Sequence, residues 1–349
     1  MPSRKEMARE DGTTAVPISA PTRPTPSAAA RRLPGYVRFP LLIVLSLATS
    51  LSLLSATSEF IDPQLREVSQ SSSSANEDVK VLATIAWRLT ELSLAWFGNF
   101  DDIDLVALSV LTHAPWYYLL HTFYAVEPTT VLLCLGIDAL SLAGPTRLLR
   151  ARAPAHKWLS SSSPSSSRTI VPNRAIIADA QTAVATSLLG AAVYGVALFG
   201  ALQTFLPAFL TVHFDGLASL EGAHGATLPA LVAALLPVGA AAREFVLVPG
   251  LAAAAATQTN LADIKRSAFN PETDGFAAHL RHNFWWFGPG ARVVVKRTAA
   301  LAALTAAHAW VHASTVLQGG DQVGAVGYAA VWVGAGVATG AVYAWVENV

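Results

Sequence analysis

The chain runs to 349 residues, of which 53% are hydrophobic and only 13% charged, with a formal net charge of +0. Soluble domains carry about 25% charged residues, so this balance excludes an ordinary water-soluble globule and points to a membrane protein. A neutral chain offers no bulk attraction to nucleic acid, and a single cysteine, Cys134, excludes a disulfide or a thiolate metal cage within these residues.

The first 38 residues are polar and rich in Pro, Ser, Ala and Arg, which reads as a disordered cytoplasmic tail, 1–38. The first apolar run starts near Phe39. It is too late and too long for a cleaved signal peptide, so a permanent span is expected there. About 20 apolar residues cross a bilayer core as a helix. Seven runs meet that length easily: 39–58, 103–124, 128–148, 180–205, 227–248, 298–317 and 323–346. An eighth, 79–99, holds Arg88 and Glu91 at its middle. It reads either as a span or as an amphipathic helix on the membrane surface.

Loop charge separates these two readings. Cytoplasmic loops near spans are enriched in Lys and Arg. Nineteen of the 23 basic residues fall in three segments: the tail up to Arg38, 147–174 and 265–297. Those segments share one side only if 79–99 crosses. The expected fold is therefore all-α, a polytopic transmembrane helix bundle over 39–349 with eight spans (seven if 79–99 is interfacial) and both termini cytoplasmic. A Ser-rich cytoplasmic linker is expected near 150–174, and a cytoplasmic interfacial segment near 250–297. Within the latter, "HNFWWFGPGARVVVKR" (282–297) places aromatic rings beside cations, as at headgroup level. The partner implied is the lipid bilayer, with anionic-lipid contact through the basic segments. No nucleic-acid partner is implied, and the oligomeric state is left open. The location is an endomembrane or the plasma membrane.

Eight spans bring a further pattern. The second, third and fourth run antiparallel, with Arg88, His113 and Asp138 at their centres. Glu91 lies about 4.5 Å along the axis from Arg88, on nearly the same face. A charge at a helix centre costs about 2.5–3.5 kcal/mol on insertion scales, so pairing is expected. Pro115 removes the donor for the Leu111 carbonyl and makes a polar niche beside His113. The seventh span adds His308 and His312, four apart on one face. Together Arg88, Glu91, His113, Asp138, His308 and His312 form a candidate midplane cluster.

Three functions fit such a cluster. The first is transport of a solute or proton through a titratable site. The second is a structural or scaffolding membrane protein in which these groups are interhelical glue. The third is a membrane-embedded lipid enzyme using His113, Asp138 and His308. Neither a G-x-S-x-G nor an H-E-x-x-H motif is present. No catalytic residue, metal ligand or cofactor is assigned, and transport is the leading expectation. Gly336 and Gly340 make a small-xxx-small pair suited to close packing, in the bundle or in a dimer.

Three stretches are familiar in combination: "LLSATSEF" (53–60), "DDIDLVALSVLTHAPWYYLLHTFYAVEPTT" (101–130) and "FNPETDGFAAHLRHNFWWFGPGARVVVKRT" (269–298). They resemble a group of multi-pass integral membrane proteins of filamentous fungi that have no assigned function. The likeness covers most of the chain from about 40 onward. It implies a fungal origin and a membrane location, and it carries over no catalytic residues.

Overall fold

Proline and aspartate punctuate the apolar runs and set the helix boundaries. In the computed structural model, described for residues 33–68, 74–153, 155–156, 173–254, 269–270, 272–279, 288–317 and 321–348, the described residues form helices and connections without a strand. The expected all-α bundle is what the chain adopts. The tail up to residue 32 lies outside the described residues.

Helix α1 spans Gly35–Val68, α2 Ser74–Phe97, α3 Asp102–Phe123 and α4 Pro128–Leu149. Helix α5 covers Ala180–Thr204, and Leu206–His213 follows it directly. The sixth traverse, α6, comes in consecutive pieces: Leu228–Ala234, Leu236–Ala242, a π-helical turn Arg243–Leu247, and Val248–Ala254. Prolines open its first two pieces, where a missing N–H is tolerated. Helices α7, Pro289–Thr315, and α8, Gln322–Asn348, complete the bundle. The α3 start is a capping box: Asp104 N–H donates to the Asp101 side chain at 2.9 Å, and Asp101 N–H donates back to Asp104. Helix α3 runs on through Pro115, whose carbonyl accepts from Tyr328 of α8 at 2.6 Å.

The traverses alternate between two ends. At one end Arg150 donates to Ala95, Trp96 and Phe100, Arg297 to Asp104, and Asn173 to Leu251. Phe39 packs there on Trp96 and Phe97. At the other end the Glu127 amide donates to Gln64, the Ala218 amide to Phe123, and His213 to Asp321. Among the described helices only Arg66 and Lys80 are basic residues lying toward this second end, and Arg88 sits between the two.

Six of the eight long helical runs are long and apolar enough to cross a membrane by length and composition. Helix α7, expected among the clear spans, is not one of them, and neither is α2. The reason is chemical. Helix α7 starts earlier than expected and carries Arg292, Lys296 and Arg297 as well as two histidines. Part of the segment read as interfacial is thus the first turns of a helix, while 280–287 lies outside the described residues.

Helix α2 has the reverse of a surface helix's pattern. Its two central charges point inward, with Arg88 7% and Glu91 3% exposed, while Val81 (59%), Leu82 (67%) and Phe97 (75%) face out. A helix lying on a membrane surface keeps its charged face in water. This one offers apolar side chains to the surroundings and hides Arg88 and Glu91, which suits lipid.

Candidate functional site

All six residues singled out from the sequence meet at one place between α2, α3, α4 and α7. Arg88 of α2 is the hub. Its guanidinium donates to Glu91 at 3.4 Å, to Asp138 of α4 at 3.3 Å and to the Ser141 hydroxyl at 2.6 Å. Tyr117 of α3 donates to the other Asp138 oxygen at 2.6 Å. His113 donates through Nδ1 to the Ser109 carbonyl at 2.8 Å. That bond is made on its own helix, one turn back, and it fixes the ring's direction. The remaining nitrogen, Nε2, faces Glu91 Oε1 and Asp138 Oδ2, 3.8 Å from each. Such gaps are beyond hydrogen-bond reach.

The α7 histidines extend the cluster. The His308 ring centroid lies 4.0 Å from that of His113 and 3.9 Å from that of His312. Their spacing of four residues stacks the two α7 rings on one face, as expected. His312 also packs on Trp116, at 5.4 Å, and donates to the His308 carbonyl at 3.1 Å. His308 is fully buried. It faces the Thr112 backbone, yet neither ring nitrogen completes a hydrogen bond. Buried polar atoms without partners are few in native proteins, so His308 is the unusual member of the group.

A second network, not singled out from the sequence, closes the end of the bundle where α3, α7 and the segment after α4 meet. Arg150 caps the last carbonyls of α2 and lies over the Trp96 ring, 4.5 Å from its centroid. Arg152 makes a two-pronged pair with Asp102. Arg297 pairs with Asp104 and donates to the Phe245 carbonyl at 2.8 Å. Arg243 pairs with Glu244 and donates to the Ile177 carbonyl at 2.8 Å. At the centre, His156 donates to Asp101 at 2.7 Å.

An Asp-x-x-Asp spacing ahead of an apolar run is the sequence signal that could have pointed to Asp101 and Asp104. His156 was part of a segment read as a linker, and Arg150 and Arg297 served only as topology charges. Asp101, Asp104 and His156 offer donor atoms within 4.8 Å of one another, the one trio of metal-ligating type among the described residues. Their oxygens are already engaged. Asp101 accepts from the Asp104 and Ala153 amides and from His156, and Asp104 accepts from Arg297 and the Asp101 amide. A cation would have to displace these donors, so the chemistry is that of a charge clasp.

Burial by itself would raise the Asp101 carboxyl, but the His156 hydrogen bond and charge and two backbone amides hold it below the usual aspartate value. Burial works in the opposite sense on His156. The Asp101 hydrogen bond and the charges of Asp104, Asp101 and Glu244 outweigh it and hold the imidazole above its ordinary value.

The Gly336 and Gly340 pair of α8 packs inside the bundle. Gly336 lies against Tyr194 and Leu301, and Gly340 against Thr298. No curated protein and no solved structure matches the chain. Residues 179–342 match the family model of the bouquet formation protein 3 C-terminal domain. The matched stretch runs from the cap of α5 into α8, so it includes His308, His312, Arg243, Glu244 and Arg297. It leaves out α2, α3 and α4 with the charged half of the midplane cluster. The chain is an integral membrane protein whose second half is similar to this family.

Proposed function

We propose that this protein is a multi-pass membrane scaffold of eight spans, with its basic end and both termini in the cytoplasm, and that it serves bouquet formation, the process in the matching family's name. A fungal source, as the resemblance implies, is part of this reading.

The observation that carries it is the closure of the central charges on one another. Arg88 is held by two carboxylates and a hydroxyl from two helices. A relay must pass a proton onward, whereas the nearest imidazole nitrogen stands 3.8 Å from either carboxylate. A closed ionic group between helices works as a clamp, because in lipid the alternative is an unpaired charge. Removing the gene in the source organism should impair bouquet formation, and normal bouquets would defeat that part of the proposal.

The topology has its own test. With Cys134→Ser as background, Ser72→Cys and Ser163→Cys bracket α2, α3 and α4. Three crossings place these two positions on opposite faces, so impermeant thiol reagents should label them from opposite sides of sealed vesicles, with Ser163→Cys cytoplasmic. Labelling from one face would remove α2 as a span.

A second reading, solute or proton transport through the same cluster, is favoured by His308, whose unpartnered nitrogens suit a group that exchanges protons. It predicts proton or solute flux in proteoliposomes that Asp138→Asn abolishes while the protein still reaches its membrane. The scaffold reading predicts no flux in either protein above that of empty liposomes.

A further inference from the structure

The network at the bundle's end contains a buried imidazole between two carboxylates from different parts of the chain. His156 is fully buried, as is Asp101. Its Nδ1 donates to Asp101 at the start of α3. Its Nε2 faces Glu244 Oε2 on the π-helical turn of α6 at 3.8 Å, and both of these atoms are buried without a hydrogen-bond partner. Single π-helical turns mark functional positions more often than regular helix does. The segment carrying His156 is anchored by the Ala153 amide, which donates to Asp101 at 2.9 Å. The ring is thus bonded to one distant piece of chain and faces a second across a 3.8 Å gap that only a charged ring would bridge.

We propose that His156 is a proton-operated clasp: when charged it bridges Asp101 and Glu244 and holds the segment after α4 against the bundle, and when neutral it lets that segment loosen. The neutral ring keeps its Nδ1 proton on Asp101. It then turns a lone pair on Nε2 toward the Glu244 carboxylate, with no charge left between the two acids. The other charged groups facing the site are matched among themselves. Asp102 is taken by Arg152, Asp104 by Arg297, and Glu244 by Arg243, while Arg150 is spent on carbonyls. These arginines stay charged through the physiological range. His156 is the member whose charge changes near neutrality.

Its folded value is raised, so the contribution of its charge is complete below the ordinary histidine pKa. That contribution is lost as pH rises through the raised value, and the clasp opens on the alkaline side of the usual histidine range. Asp101 shifts the other way, so its anion stays in place until well into acid.

Hydrogen exchange of the full chain in lipid nanodiscs tests this, with chelator present and each rate corrected for intrinsic exchange at that pH. Amides of 150–156 should be protected at mildly acid pH and lose protection as pH rises past the histidine range. The total loss should be about tenfold per unit by which the pKa is raised. The α8 amides should show no such step. His156→Gln should give weak protection of 150–156 that does not vary with pH. A flat profile in the unmodified protein overturns the proposal. So does a step that survives His156→Gln, or one that appears only when chelator is replaced by a divalent metal.

Discussion

Arg88→Met is expected to destabilise the bundle by about 3–5 kcal/mol, the cost of stranding the partners of a buried charge. The guanidinium is the only strong donor shared by Glu91 and Asp138 among the described contacts. Methionine preserves much of the stem and its packing, so the loss isolates the charge. Thermal denaturation in detergent measures it, and a variant that melts with the unmodified protein would show that the cluster is not a clamp.

The companion triple change, Arg88→Met with Glu91→Leu and Asp138→Asn, removes the charges together. Replacing a whole buried ionic group by apolar or neutral side chains is often neutral or stabilising, so much of the lost stability should return. A scaffold keeps its role in such a protein. A transporter that runs on these groups is stable but inactive. The pair of variants thus separates clamping from conduction.

Gly239→Val is expected to cost about 1–3 kcal/mol or more by overpacking. Gly239 lies on α6 where it crosses α5. An added Cβ would overlap the Ser187 carbonyl oxygen and stand 2.5 Å from the Ala191 nitrogen, both backbone atoms. Backbone has no rotamer to swing aside, so the helices must separate. Gly190 faces it across the crossing, and Tyr343 closes over the same place by donating to the Thr186 carbonyl at 2.8 Å. Gly239→Ala should cost less than Gly239→Val, and both should lower the melting temperature in detergent. An unchanged melting temperature for the valine variant would mean that the helices do not approach this closely.

Much of the architecture was legible because apolar runs of bilayer length are strongly constrained. In lipid, backbone polar groups must be satisfied within the segment, so such runs become helices. Asp101, Asp179 and the opening prolines then mark starts where orphan amides need acceptors or are absent. The midplane cluster was also visible, since antiparallel helices of similar length bring their centres to one depth.

The same logic failed for the end network. Asp101, His156 and Glu244 are far apart in sequence, and no spacing links them. Their meeting depends on how α6 and the segment after α4 settle around the α2–α3 turn. Composition alone does not mark α7 as a span, because its histidines and basic first turns lower its apolarity, although it packs against α3 and α8 as a full-length helix.

By itself, then, the sequence determined that the chain is helical, built for a membrane, basic at one end and provided with titratable groups near the centres of neighbouring helices. These follow from local rules: the hydrophobic length of a span, the need to satisfy backbone groups, and the cost of lone charges in lipid. The tertiary structure alone decided which charges pair, that the face of α2 bearing Arg88 turns inward, that Gly336 and Gly340 serve the bundle, and that His156 is clasped at its end. Those are choices of rotation and approach between helices. In a chain whose helices are apolar on nearly every side, side-chain pairing and close packing settle them.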